Sequence, residues 1–564
     1  MSKVLVLTGD MIGNRMAGPA IRAFEMGRVL AERHTVTLAC PEINGVCPEI
    51  PADMKVIECG LIPRWPNLNA FDVVILPGSM NLNTYFNIPA LVDLYDPFIL
   101  SSLSRTDKTE AIQHEELEFL RRNLIRGDFF VCATERQKDF WLGMLAATGR
   151  VNVRLYNVDQ NLEGLIQLAP FGVPAEPPSS KKWTFPGDPN DFWIVWGGGI
   201  WDWFDPLTPI QAVFDLNQKG INVSLLFMGT SHPNPQMTQM SMVKKAFDLA
   251  EKLGLLDKKI FFSDWIPYSE RGMVLKSAHL AVSTHYPHLE TRFSFRTRIL
   301  DYIWAGLPFV CTEGDVLSEW AEGHEAGLAV PPENVQALSV AFQTLLLDKD
   351  MYRKHRDNLK ILAEHMHWSR VLKPVVDFCE NPKRAPDHKY LQKALLSDEG
   401  YFVESCENSV MPVGEIFTDG VSQQIICKEG ALCRIDLKLA TFKRVNNGYG
   451  IFELLDSSGA KIVTIPFALA SVEDNKWKSF RFGPLSSKPG SIWTVRLSSP
   501  DSAPGNAITI WADNACENSW YTINKMKQVG SINYRIFAKI FEGFDHDMPK
   551  QKKATFRFPF LRKR

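Results

Sequence analysis

Residues 290–301, ETRFSFRTRILD, gather Glu290, Ser294, Asp301 and three arginines (Arg292, Arg296, Arg298) at the edge of an apolar run, ILDYIWAGLPFV. Those residue types at that spacing suit a ligand that is both anionic and hydroxylated. The apolar residues Ile299, Leu300, Ile303 and Trp304 predict a helix, with Ser294 as its N-cap and Gly306 as its stop. A helix start offers N–H groups to a diphosphate, and the arginines add charge with bidentate geometry. Asp301, one turn in and on the same face as Thr297, can accept from both hydroxyls of a ribose. Glu290 can do the same for a sugar ring. The alternative is a capped helix whose arginines and acids pair with each other at a domain interface.

Other residues could contribute chemistry. Two glycine-rich turns, GDMIGNRMAGP (9–19, with Gly18) and WGGGIWDWFDP (196–206, with Gly198 and Gly199), let backbone approach a phosphate. Trp201 and Trp203 in the second turn could stack on a sugar or base, or pack at an interface. In VDLYDP, Asp93 and Asp96 could contact an acceptor hydroxyl or act as a base, although Asp96-Pro97 also reads as a turn start. His114 reads as a solvated helix residue. The DHD at 545–547 is rejected as a metal motif because it lies in the tail rather than at a strand end.

The elements that must position these residues follow from periodicity. Apolar runs at 3–8, 34–40, 71–78, 90–96 and 128–134 alternate with helical patterns, the first helix presenting Ala20, Phe24, Gly27 and Ala31 on one face. After a linker at 172–191, strand-like runs recur at 192–199, 222–229, 259–265, 279–285 and 307–314. Valine- and leucine-rich strands with intervening helices imply parallel sheets covered on both sides, with ligand sites at the strands' carboxyl ends. Beyond about residue 382 the pattern becomes period two, which predicts an antiparallel β-sandwich over 398–515. Its Tyr449, Trp477, Trp493 and Trp511 could stack on carbohydrate or fill the core. The remainder, 516–564, holds the amphipathic stretch INYRIFAKIFEGF and ends in PKQKKATFRFPFLRKR. That ending has seven Lys or Arg, three Phe and no acid, a pattern suited to an anionic membrane face, with RNA binding or simple solvation as alternatives.

At 564 residues the chain is expected to hold several domains. A net charge of -2 gives no overall pull toward nucleic acid. Ten scattered cysteines without CxxC spacing suggest reduced thiols in a cytoplasmic protein. The start, MSKVLVLTGD, reads as a buried strand rather than a signal peptide, and no run of roughly 18 apolar residues suggests a membrane span.

RTRILDYIWAGLPFV resembles the donor-binding helix of family 4 glycosyltransferases of the GT-B fold, with Arg298 where that family often has lysine and Asp301 at its second motif acid. IRAFEMGRVLAERHTVTLAC, LAPFGVP (168–174), KIFFSDWIPYSERGMVLKSAHLAVSTH and HWSRVLKPVVDF (367–378) resemble further family segments in the family's order. The position of the first motif acid holds Phe293, with Glu290 the nearest candidate.

The resemblance implies two Rossmann-like domains: an acceptor domain over 1–180, with a crossover helix at 367–380, and a nucleotide-sugar domain over 181–382. It implies a retaining transfer from a nucleotide sugar to a glycan or lipid-linked acceptor, without a metal or other cofactor. The expected catalytic residues are Asp96 and Glu290. The expected donor contacts are Gly18, Gly198, Gly199, Trp265, Glu290, Ser294, Phe295, Arg296, Thr297, Arg298 and Asp301. Cell-surface polysaccharide synthesis is the expected setting, with the protein cytoplasmic or peripheral on the inner membrane face through 530–564. A degenerate GT-B scaffold and a nucleotide-sugar epimerase are the alternatives.

Overall fold

A computed structural model of the chain describes residues 1–60, 65–82, 86, 88–105, 108–230, 240–388, 401–406, 411–426, 431–486, 490–513 and 520–539. It divides into an α/β unit, Met1–Leu82 with Phe86–Leu391, and a second unit that contains the β-structure from Tyr401 onward.

The α/β unit has two halves, each built on a parallel sheet. The first sheet runs in the order Met54–Glu58, Thr35–Cys40, Lys3–Leu7, Val73–Pro77, Ala90–Asp93, Phe129–Cys132 and Ile166–Leu168. The second runs Ile260–Phe262, Val223–Phe227, Phe192–Trp196, Leu280–Ser283, Phe309–Thr312 and Gly327–Val330. Three edge strands (Met54–Glu58, Ile166–Leu168 and Gly327–Val330) add to the ten expected. In each sheet the first strand in sequence lies inside the order, with neighbours built in opposite directions from it. This switch point opens a crevice beyond the strands' carboxyl ends. The helix Gly18–Ala31 buries Ala20, Phe24, Gly27 and Ala31, as its periodicity requires.

The two halves are joined twice. Val173 and His367 form a parallel bridge, with Val173 N donating to Met366 O (2.8 Å) and Trp368 N to Val173 O (3.1 Å). Past the returning helix Lys373–Glu380, the chain is anchored on the first half by the fully buried pair Arg150–Asp387 (3.1 Å). Asp128 also accepts from Ala385 N and Arg384 there.

The second unit is an antiparallel sandwich. One sheet centres on Ala431–Ala440, flanked by Lys476–Ser486 and Tyr534–Lys539; the other contains Tyr449–Leu455, Ile492–Ser498 and Val421–Ile426. Ile435, Leu437 and Leu439 face Phe452, Leu454 and Leu497 in its core. Of the aromatics with two readings, Trp493 fills the core, whereas Trp477 and Trp511 carry Arg535 and Lys438 over their rings. The strand pattern also continues past 515 to Lys539. Tyr534 and Ile536 turn inward and Arg535 outward between two strands, so this part of the amphipathic stretch is sandwich rather than membrane-facing tail. The basic ending and the DHD lie outside the described residues. Among the described residues no helix is long and apolar enough to cross a membrane.

Candidate active site

A cleft of about 590 Å³ lies between the two halves of the α/β unit, and all twelve residues expected at the site line it. From the second half come Gly198, Gly199, Trp265, Glu290, Ser294, Phe295, Arg296, Thr297, Arg298 and Asp301; Gly18 and Asp96 come from the first.

The glycine turn follows the strand Phe192–Trp196. Gly198 has φ +70°, a left-handed conformation that favours glycine, and a Cβ on Gly199 would sit 3.0 Å from the Trp265 ring. The Tyr302 hydroxyl fixes this turn from the helix Thr297–Ala305: it accepts from Gly197 N (2.8 Å) and donates to Val282 O (2.9 Å). Arg298, one turn earlier, donates through Nη2 to Gly199 O (2.8 Å). Its guanidinium packs on Phe204 and Trp196, 4.0 and 4.4 Å from the ring centroids. Arg298 is 7% exposed, has no carboxylate partner among the described residues, and leaves Nη1 without a hydrogen bond. Burial pulls it down to about 9, so it still carries its charge at neutral pH. A buried, unpaired cation beside a glycine turn is electrostatically incomplete, and an anion completes it.

The other two arginines differ. Arg296 grips Glu290 in a two-armed pair (2.7 and 2.6 Å), with its Nε 3.6 Å from Asp315. Glu290 is therefore held by an arginine instead of being presented free to a sugar. Arg292 is exposed and is not among the residues lining the cleft. Asp315 caps the helix Val316–Gly323 through Ser318 N (2.7 Å), and burial pushes it up to about 6. Burial lowers the adjacent His285 to about 3, with Arg296 adding to the fall, so it is neutral.

Asp301 pairs with Arg271 (3.2 Å) and remains 32% exposed; Arg271 itself lies between the Tyr268 and Trp304 rings. Ser294 is not the N-cap. A short helix, Leu289–Phe293, precedes it, and its hydroxyl donates back to Thr291 O (3.0 Å). Arg296 occupies the cap position and makes no side-chain cap bond. Thr297 lies opposite Gly18, where a Cβ would stand 3.6 Å from its hydroxyl oxygen. Trp201 and Trp203 stack on each other, centroids 5.1 Å apart, and line the cleft. Asp205 caps the next helix by accepting from Thr208 N (3.0 Å).

On the first half, Asp93 is not available as a base, because Arg22 holds it with two contacts of 2.5 and 2.9 Å. That partner, 71 residues away, carried no sequence signal. Asp96 makes no such pair. Burial between the walls pushes it up to about 7, Glu290 and Asp93 add to the rise, and Arg296 opposes it. Its side chain faces the open cleft, so solvent moderates that rise until a ligand fills the space. Asp10, which the motifs did not single out, also lines the cleft, and burial pushes it up to about 6.

Several contacts tie the two halves together. Gln137 Nε2, held by Tyr95 O (2.9 Å), donates to Phe293 O (2.8 Å), and Trp265 Nε1 donates to Met16 O (3.2 Å). Tyr268 N donates to Asn14 O (2.7 Å) and its hydroxyl to Glu25 (2.6 Å), and Arg136 pairs with Glu319 (2.5 Å). Among the described residues, no three His, Cys, Asp or Glu side chains are grouped to hold a metal.

The two-sheet architecture is GT-B-like. Sucrose-phosphate synthase from Thermosynechococcus elongatus is 16% identical over 67% of this chain and 98% of its own, with a TM-score of 0.49. WaaG, a glycosyltransferase involved in lipopolysaccharide biosynthesis, is 14% identical over 67% and 100%, at 0.48. HepE of Anabaena, solved with UDP-glucose, is 13% identical over 67% and 98%, at 0.46. No curated protein sequence matches the chain. Residues 198–348, which run from the glycine turn through the Arg298 helix, match the family described as glycosyl transferases group 1.

Proposed function

We propose that this protein is a retaining glycosyltransferase that moves a sugar from a nucleotide-sugar donor to a glycan or lipid-linked acceptor. The observation that carries this reading is Arg298: buried, unpaired, and bonded to the carbonyl of a left-handed glycine turn at a strand's carboxyl end. The family match over 198–348 covers the same elements. In this reading Arg298 and the Gly198–Gly199 backbone neutralise the diphosphate as it leaves, which is the main catalytic contribution. Asp301 takes the ribose hydroxyls. The Arg296–Glu290 pair shapes the sugar pocket, and Asp96 accepts from the incoming hydroxyl. No resident metal is required, because a fixed guanidinium supplies the charge. The reading extends to cell-surface polysaccharide synthesis at the cytoplasmic membrane face.

Thermal stabilisation by UDP-, GDP-, dTDP- and ADP-sugars tests it. A donor at a hundred times its dissociation constant should add about 2.7 kcal/mol, and Arg298→Met should abolish that gain. One observation favours a second reading, a glycan-binding scaffold that has lost turnover: Glu290 is fully engaged by Arg296. Release of free nucleoside diphosphate from the stabilising donor excludes the scaffold.

A further inference from the structure

The two walls of the cleft carry opposite charge balances. From the second half, two carboxylates (Glu290, Asp301) and three guanidiniums (Arg271, Arg296, Arg298) line it. From the first half, four carboxylates (Asp10, Asp93, Asp96, Glu116) face two guanidiniums (Arg22, Arg105). Pairing sharpens the contrast. Arg22 is spent on Asp93 and on the carbonyls of Ala169 and Pro170 (2.7 and 3.0 Å). Arg105 stays on this wall as a cation, at the end where Lys108 and the Ser102 hydroxyl both contact Glu116, away from Asp10 and Asp96 in sequence. Asp10 and Asp96 have no ion pair or carboxylate hydrogen bond among the described residues. The carboxylates left without an ion pair thus lie on the first wall, both ionised above about pH 7, and the cation left without one, Arg298, lies on the second.

We infer that the first wall takes an acceptor whose reacting end is an uncharged or cationic sugar ring, rich in O–H or N–H donors, and rejects phosphorylated or uronic rings. Carboxylates lacking donors are completed by hydroxyls or an ammonium group. A phosphate or carboxylate on the acceptor would instead meet like charge in a partly desolvated space, which costs binding and rate. The same wall keeps the donor's diphosphate on the side of Arg298. The inference rests on the transferase reading and adds the acceptor's charge class to it.

The test uses the full chain with the donor that stabilises it most. Glucose, glucosamine, glucose 6-phosphate and glucuronate are the probes, scored by transfer and by their effect on donor hydrolysis. Glucose and glucosamine should be favoured over the two anionic rings by roughly tenfold or more at low salt, with the gap shrinking as salt rises. Asp10→Asn and Asp96→Asn should each narrow that ratio severalfold, and the ratio, not the rate, is read because both residues face the substrate. A preference for the anionic rings, indifference to charge, or no response to any of the four overturns the inference. Donor-induced stabilisation, lost in Arg298→Met, is scored without acceptor. If it persists while the acceptor ratio fails, only the acceptor class falls; if it is absent, the transferase reading falls and the inference with it.

Discussion

Arg22 and Arg298 are buried guanidiniums on opposite walls of one cleft, and they differ in what they touch. Arg22 is closed on all sides: two contacts to Asp93, two backbone carbonyls, and the Tyr95 ring 4.8 Å from its charge. Arg298 has one carbonyl, two aromatic faces and an unused nitrogen. The first arrangement holds a fold together, and the second waits for a ligand. Burial alone does not separate the two roles; the partner count does.

The largest expected effect breaks the closed pair. Arg22→Met leaves Asp93 buried and uncompensated, which should cost about 3–5 kcal/mol in denaturant unfolding. A loss below about 1 kcal/mol would show that Arg22 is not structural. Arg298→Met should change the unliganded stability by less than about 1 kcal/mol, or raise it, because a buried unpaired charge is removed. It should erase the donor-induced gain of about 2.7 kcal/mol, and a stability loss as large as that of Arg22 would collapse the contrast.

Asp301→Ala should weaken donor binding by about 1.5–3 kcal/mol, the usual worth of hydrogen bonds to a charged group, read as a fall in donor affinity by titration calorimetry. The smallest effect is in pH. Asp96 must be ionised to accept from a hydroxyl, so kcat should fall about tenfold per unit below about 7, where the ligand fills the cleft. In kcat/KM the fall should have the same slope from a lower pH, because solvent moderates the rise in the free enzyme. The limb should vanish in Asp96→Asn. Stability moves the opposite way: the folded carboxyl holds its proton more tightly than the unfolded one, so this group's contribution declines as pH rises through about 7.

The part of the site that is local in sequence could be read from it. The helix with Arg298 and Asp301, the glycine turn and the strand ends all have signals within a dozen residues, and the cleft brings their residues together. What was not legible depends on distance. The Arg22–Asp93 pair spans 71 positions and the Arg271–Asp301 pair 30, so neither acid's availability could be judged from its neighbours. Ser294 suits a cap by type, but the helix Leu289–Phe293 takes up the residues before it and leaves Arg296 at that position. The sandwich runs past residue 515 because Tyr534–Lys539, whose alternation suits a strand and an amphipathic segment equally, is paired on both sides.

The bridge between Val173 and His367 has a mechanical consequence. Two halves joined by one strand of chain could twist, slide and bend independently. Here two crossings run side by side and are bonded to each other, and Gly172 is so near the Trp368 ring that a Cβ would lie 2.8 Å from it. Twisting would shear those bonds and sliding would press the ring into the backbone, so the paired crossings oppose both displacements at the place where the chain passes between the halves.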